Sequence, residues 1–315
     1  MAQRRRRSQL RPKMYTRHRR HATMEITILM WQFSVRSQIK GMAIVALAVL
    51  AGLLAAPARA VELKPDTAAA FNQYIRATEA RIALDLRDGR FLAVDALPER
   101  ERREAYAQLR QGQIYVRHLR AEEDEKPIYI PEGLIHHWVG VVFIPGVTLA
   151  QVMAELQDYA DQPDKYKPTV RKAKVLEHDG NEFKTYRQLY RKQIVTIVIN
   201  ANSDDVYEMP DPSHATIRSY STRIAEVAHP DQPDERELPV GNDHGYVWRF
   251  YNYSHIEEKD GGVYEQVESI VLSRRVPAVF AWLVNPLMES IPRDVLTQLL
   301  NQTREAVLDW KARQM

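Results

Sequence analysis

The sequence predicts an α+β protein in which a curved antiparallel sheet wraps around a C-terminal helix. Three observations indicate this class. An apolar strand is followed by a helix with clear end signals, turn-forming residues then divide the next stretch into six strands, and a largely helical segment, 276–313, closes the chain. Short turns between successive strands suit antiparallel pairing. The order of elements therefore predicts a cavity between sheet and helix that binds an apolar molecule.

Residues 1–60 are expected to be a basic leader and a signal peptide. An uncharged apolar run, 41–54, follows Arg36 and Lys40 and is itself followed by Ala58-Arg59-Ala60. This is the pattern of a secretory signal peptide that is cleaved near Ala60. A membrane anchor is the alternative, but the run is shorter than the roughly 20 residues that a spanning helix needs. We therefore expect a periplasmic or secreted mature protein.

Composition excludes several classes of function. The chain has 44 Lys and Arg against 41 Asp and Glu, but the first 60 residues hold 12 of the basic residues and a single acidic one, Glu25. The mature chain is therefore acidic, which argues against nucleic acid as a partner. The sequence contains no cysteine, so disulfides, thiol catalysis and thiolate metal sites are excluded.

Residues 61–132 are predicted to be an N-terminal helical extension with a linker. Helical spacing predicts one helix from Thr67 to about Leu86, with Phe71, Ile75 and Ile82 on one stripe, and a second, charged helix over 98–111. The acidic run 121–127 is typical of a solvated linker. We expect the extension to pack on the main domain, and an independent small domain is the alternative.

The main domain, 133–315, is predicted to begin with a strand and a helix. The strand 133–144 has few polar positions, so both of its faces should be covered. After Pro145-Gly146, Thr148 is a good helix N-cap, and Gln151 three residues later completes a capping box. The apolar stripe of this helix should lie on the sheet.

Turn residues divide the middle of the chain into strands. Asp179-Gly180-Asn181 and Asp260-Gly261-Gly262 predict tight turns, Asn202 to Asp205 predicts a further turn, and a long proline-containing loop spans 229–245. The predicted strands are 170–177, 183–201 with a bend near Lys192-Gln193, 206–209, 215–227, 246–256 and 263–272.

Two prolines interrupt the closing segment. Pro286 and Pro292 predict a short helix over 278–284, a kink, and a main helix from about 290 to 311. If this break lies over the cavity mouth, Phe280 and Leu287 can act as a gate, with the loop 229–245 as the opposite rim. The alternative is that these side chains complete the core.

This order of elements resembles the START-like, or SRPBCC, superfamily with its helix-grip fold. The resemblance covers roughly residues 134–312 and is carried by segments 221–226, 246–251, 261–268, 272–277 and 290–293. The sequence is most similar to exported bacterial START-like proteins. The superfamily includes lipid-transfer domains, polyketide cyclase-like proteins and coenzyme Q-binding proteins, so the resemblance implies a ligand cavity but no particular reaction.

Motifs for metal or cofactor chemistry are weak. His136 and His137 are adjacent on a strand and point to opposite faces, so they cannot bind one ion together. The sequence contains no G-x-S-x-G elbow and no glycine-rich phosphate loop. We expect no metal site, no cofactor and no assigned catalytic residue.

Polar and aromatic side chains on the strands are the candidate ligand contacts. Apolar walls with a few polar anchors suit an amphiphile. Alternation does not say which face is inside, so the alternative is a solvated polar face. The candidates, together with the two gate residues, are Tyr186, Tyr190, Arg218, Tyr220, Trp248, Arg249, Tyr251, Glu268, Phe280 and Leu287.

The function that these observations favour is a periplasmic binding or carrier protein for a lipid, fatty acid, quinone or similar ligand. An enzyme of the cyclase, dehydratase or hydrolase kind is the alternative, with a buried Glu268 or His136 as general acid or base. A third reading is an interaction module whose N-terminal helices dock a protein partner. We expect a small hydrophobic partner and no nucleic acid, and transient membrane contact is compatible with either reading.

Overall fold

The structure is a computed structural model that describes residues 62–123, 126–192, 196–241, 243–275 and 278–314. Side chains are described for all of these except 123, 278–292 and 314. The predicted leader and signal peptide lie outside the described residues. No helix of the described part is long and apolar enough to cross a membrane.

The described residues form five helices and eleven strands. The helices are α1 (Pro65–Arg87), α2 (Glu99–Arg110), α3 (Leu149–Leu156), α4 (Gln162–Lys165) and α5 (Ala278–Gln314). The strands are β1 (Tyr115–His118), β2 (Glu122–Glu123), β3 (Lys126–Pro127), β4 (Gly133–Pro145), β5 (Val170–Asp179), β6 (Glu182–Lys192), β7 (Thr196–Asp211), β8 (His214–Ala228), β9 (Arg236–Glu237), β10 (Arg249–Lys259) and β11 (Gly262–Arg274).

One antiparallel sheet organises the domain. Its strand order is β1-β4-β11-β10-β8-β7-β6-β5, with β9 paired to β8, and β2 and β3 form a separate two-stranded ribbon. Successive strands from β5 to β8 are neighbours, and β10 and β11 form a hairpin between β8 and β4. This sheet, its C-terminal helix and its N-terminal helical extension confirm the predicted α+β helix-grip architecture.

The two faces of the sheet are covered by different parts of the chain. We call the face that packs against α5 and α3 the grip face; Val142, Ile256 and Val267 lie on it, in one cluster with Leu296 and Leu300 of α5. We call the opposite side the outer face. The outer-face residues pack against α1 in one cluster and against α2 in another. Strand β4 is therefore covered on both sides, as its sequence predicts.

Helix α5 lies close to β4 because glycine occupies the crossing point. A Cβ added at Gly140 would lie 2.6 Å from Cδ1 of Leu300 and 3.1 Å from Cγ of Leu296. Only a residue without a side chain allows this approach. At the start of α3, Thr148 and Gln151 form the predicted capping box.

Two sequence predictions differ from the structure in the middle strands. The predicted turn at 202–205 is wrong, since β7 continues through it, and the predicted strand 183–201 is instead two strands, β6 and β7. The polar residues that suggested a turn are in part buried: Ser203 and Asp205 lie on the grip face, where Thr185 donates to the backbone carbonyl of Ser203 and to Oδ2 of Asp205.

The predicted break in the closing segment is also wrong, because α5 is a single helix from Ala278 to Gln314. A proline removes one backbone hydrogen bond without necessarily ending a helix whose other turns are held by packing. The gate residues Phe280 and Leu287 lie outside the described side chains.

Candidate functional site

A strip of polar side chains crosses the middle of the grip face. Trp138, Ser269, Asn252, Ser219 and Asp205 lie directly opposite one another on β4, β11, β10, β8 and β7. We call this row the polar strip. All but the buried Asp205 are only half-buried, although α5 and α3 pack on the same side of the sheet. The strip is therefore only partly accessible to solvent, on a face that two helices cover.

Apolar residues flank the polar strip at both ends of the strands. Towards α3, the flank includes Ile217, Ile256 and Val263, packed against Leu149 and Val152. Towards the opposite end, the flank consists of Ile199, Ala201 and Ile224, with Leu189 and Phe250 packed against them. A polar centre between two apolar regions is suited to a ligand that is mainly apolar and has few polar groups.

Asp205 organises the buried end of the polar strip. Its Oδ2 accepts hydrogen bonds from Tyr159 at 2.9 Å, Thr185 at 3.1 Å and Nη2 of Arg187 at 3.0 Å, and Ser219 donates to Oδ1. Arg187 also donates to Gln162, and its guanidinium lies over the ring of Tyr159. Burial would lower the pKa of Arg187, but the charge and hydrogen bond of Asp205, together with smaller contributions from Tyr159 and Tyr207, outweigh burial and raise that pKa. The Arg187 guanidinium therefore stays charged, with Asp205 as its ion-pair partner.

On the strands of the grip face, two buried oxygens have no hydrogen-bond partner among the described residues. One is Oδ1 of Asn252, in the strip itself, and the other is Oε2 of Glu265 on β11. Glu265 is 2% exposed and lies opposite Val142 and Ile256. Burial raises the pKa of Glu265 to about 8, so its carboxyl is mostly neutral at pH 7.

Tyr166 is the titratable neighbour of Glu265. Its hydroxyl lies 3.4 Å from Oγ1 of Thr303 on α5. Burial and, to a smaller extent, the Glu265 charge raise the pKa of Tyr166, so its phenol stays protonated. Glu265, Tyr166 and Thr303 can each donate or accept a hydrogen bond without carrying a charge.

The loop 229–245, predicted as a rim, borders a pocket of about 330 Å³. Its lining includes Ile197 and Leu238 together with Glu226 and His244. Glu226 accepts hydrogen bonds from the backbone amides of His244 at 3.0 Å and Tyr246 at 2.7 Å. This pocket lies at the end of β7 and β8 that carries the second apolar flank.

Most of the candidates from the sequence lie on the outer face. Strand alternation places seven of them there, and Trp248 packs in the α1 cluster with Ile270 and Leu272. The seven are Tyr186, Tyr190, Arg218, Tyr220, Arg249, Tyr251 and Glu268. Their role as ligand contacts stays a prediction. Their position on the side of the sheet that faces away from α5 does not favour that role.

The outer face binds α1 through buried polar contacts. Glu79 of α1 accepts hydrogen bonds from Tyr220 at 2.6 Å and Tyr253 at 3.0 Å. Nε2 of His137 lies 2.7 Å from Oε1 of Glu268, and Arg81 of α1 forms an ion pair with the same carboxylate. These contacts give Glu268 a structural role, because they tie the N-terminal extension to β11.

The two residues named for catalysis have different surroundings. Burial would raise the pKa of Glu268, but His137 and Arg81 outweigh it and lower that pKa, so Glu268 is ionised and unsuited to be a general acid. Burial and the nearby His118 lower the pKa of His136 to about 4, and Nε2 of His136 lies 3.0 Å from Oγ of Ser273. Among the described residues, no three potential metal ligands come together.

Replacing Arg81 with leucine is expected to destabilise the docked extension. The change leaves the buried Glu268 carboxylate without its cation, which costs about 1–3 kcal/mol once the partial exposure of Arg81 is taken into account. The free energy of unfolding, measured in urea, checks this. Arg100→Leu, which removes an exposed ion pair within α2, is the control; equal effects of the two substitutions would contradict this role for Glu268.

The comparisons with known proteins give only distant structural similarities. A scan against protein-family models gives no match, and neither does a comparison with curated protein sequences. Among solved structures, the STAR-related lipid transfer protein of Xanthomonas axonopodis matches at 16% identity and TM-score 0.38, covering 59% of this chain and 98% of that chain. Human STARD10 matches at 12% identity and TM-score 0.40, covering 69% and 84%.

The Zhui aromatase/cyclase of Streptomyces sp. R1128 matches at 11% identity and TM-score 0.39, covering 55% of this chain and 94% of that chain. These similarities concern architecture, and the activity of none of these proteins is carried over. The elements of the chain form a helix-grip architecture, with an open curved antiparallel sheet, a C-terminal helix and an added N-terminal helical extension.

Proposed function

We propose that this protein is a periplasmic binding or carrier protein for a hydrophobic or amphiphilic ligand held between the grip face and α5. The observation that carries this proposal is the half-buried polar strip between two apolar flanks, on the side of the sheet that α5 covers. Small-molecule sites are mostly apolar with a few placed polar groups, and this surface has that composition. Periplasmic location rests on the signal-peptide pattern of residues 41–60.

The position of α5 also supports binding rather than a filled core. Its C-terminal half contacts β4 through Leu296 and Leu300, which seal the β4 side of the sheet. Helix α3 closes the end near Ile256 and Ala215. Between α5 and α3, the side chains of Ser254 and Ser269 remain half-buried. A ligand that fills this region would remove apolar surface from water, which is worth about 25 cal/mol per Å².

The enzyme alternative is not favoured by the position of Glu268, which lies under α1 on the other side of the sheet from the polar strip. Protonated Glu265 is the carboxyl group that lies on the grip face in a form suited to proton donation. Turnover that depends on Glu265 would therefore be the observation that restores the enzyme hypothesis.

Native mass spectrometry of the mature protein, purified from its own host, tests the proposal. We expect a bound mass that organic solvent removes and that a bacterial lipid extract restores. Ser254→Trp, which fills the grip face, should lower occupancy at least tenfold, whereas Arg218→Trp on the exposed outer face should not. Protein that is consistently free of ligand and takes up no lipid would contradict the proposal.

A further inference from the structure

We propose that the grip face recognises an uncharged hydrogen-bonding group, a hydroxyl or a carbonyl, so that the ligand is a neutral amphiphile rather than a carboxylate or a phosphate. This inference rests on the proposed function, since it names the ligand class of the same site.

The unpartnered oxygens on the strands of the grip face belong to neutral groups. Oδ1 of Asn252 is buried and has no donor, so a ligand hydroxyl could supply one. Ser254 and Ser269, which lie beside Asn252 on β10 and β11, offer hydroxyls that both donate and accept. Glu265, four residues before Ser269 on the same face, offers a carboxyl with an unpartnered oxygen.

The charged groups of the same layer are already paired. Arg187 and Asp205 neutralise each other, with Asp205 further satisfied by Tyr159, Thr185 and Ser219. Lys165 is paired with Glu155 and Asp158. A ligand carboxylate placed at Asn252 would therefore lose its hydration without gaining an unpaired cation.

Arg191 is the cation that could oppose this inference. Its Nη1 donates to Gln298 at 3.1 Å, while its Nε is buried and has no partner among the described residues. It lies opposite Ile197, at the far end of β6 and β7 from Glu265 and beyond Ala201 and Ile199. An anionic ligand would have to bind there, so binding of an anion at Arg191 is the direct alternative to this inference.

Competition between matched ligands tests the inference. Nile red bound to the protein is displaced with a long-chain alcohol or with the fatty acid of equal chain length, at pH 7. We expect the alcohol to bind at least tenfold more tightly than the acid. Asn252→Leu should weaken alcohol binding about five- to tenfold, which corresponds to the loss of one buried hydrogen bond. Arg191→Gln should leave alcohol binding within twofold.

The outcomes separate this inference from the proposed function. Tighter binding of the acid that is lost in Arg191→Gln would overturn the neutral-ligand inference and leave the carrier proposal standing. Displacement of Nile red by neither ligand, together with absence of lipid uptake, would contradict the carrier proposal itself. If Asn252→Leu does not fold, Ser269→Ala probes the same strip and should also weaken binding of the alcohol.

Discussion

Replacing Glu265 with glutamine is expected to raise the free energy of unfolding by about 3 kcal/mol at pH 7. In the folded protein this carboxyl lies among Val142, Ile256, Val263 and Val267 without a hydrogen-bond partner for Oε2. Folding at neutral pH therefore requires the group to take up a proton that it does not hold in the unfolded chain. Glutamine has nearly the same shape and removes this cost.

The pH dependence of the stability follows from the raised pKa of Glu265. The pKa of Glu265 is about 8 in the folded protein and near 4.5 in the unfolded chain. The folded state therefore binds more protons between these values, and its stability falls as pH rises from about 4.5 to about 8. The Glu265→Gln protein lacks this loss.

Urea unfolding from pH 4 to pH 9 checks this expectation through the difference between the two proteins. The other titratable groups of the layer are shared by both proteins and cancel in the difference: Tyr166, the Glu155–Lys165 pair and the Arg187–Asp205 pair. The difference should be small at pH 4 and grow to its full size by pH 8. Parallel stability curves would show that Glu265 is not a neutral buried carboxyl.

Replacing Asp205 with leucine is expected to have the opposite effect and to destabilise the domain by about 3–5 kcal/mol. The substitution leaves the Arg187 guanidinium without its counter-ion and removes the acceptor of three further side chains, Tyr159, Thr185 and Ser219. Asp204→Leu changes the neighbouring, exposed position of the same strand and should stay within about 0.5 kcal/mol.

A second substitution separates charge from packing at this site. In the double variant Asp205→Leu, Arg187→Met, no uncompensated cation remains, so we expect part of the lost stability to return. Thermal and urea unfolding of the single and double variants measure this. If the double variant loses as much stability as the two single variants together, the result would contradict the view that each residue of the pair mainly neutralises the charge of the other.

Much of the fold can be predicted from local sequence signals. The capping box at Thr148 and Gln151 and the glycine turns at 180 and 261 place α3 and two hairpins correctly. The polar segment 202–205 predicts a turn only when each residue is judged by its own preference for turns. Within β7 the buried Ser203 and Asp205 alternate with the exposed Asp204, which is the pattern of a strand with a polar network on one side.

The candidate site is harder to predict because strand alternation defines two sets of residues without saying which set is inside. The set that contains Tyr220 and Tyr251 is rich in aromatic residues, so the sequence favours it as the ligand site. In the structure this set lies under α1. The apolar stripe of α1, with Phe71 and Ile75, indicates in the sequence that some sheet face must cover it. Small polar residues such as Asn252 and Ser269 give no comparable signal.

The central claim is that the ligand occupies the grip face of the sheet, and cysteine protection tests it most directly. The chain has no cysteine, so Ser254→Cys on the grip face and Thr216→Cys on the outer face each provide one reactive thiol. Both native side chains are half-buried, which makes them a matched pair. Saturation with a bacterial lipid extract should slow alkylation at position 254 at least tenfold and leave position 216 unchanged. Protection at position 216 with none at 254 would place the ligand on the outer face and contradict the claim.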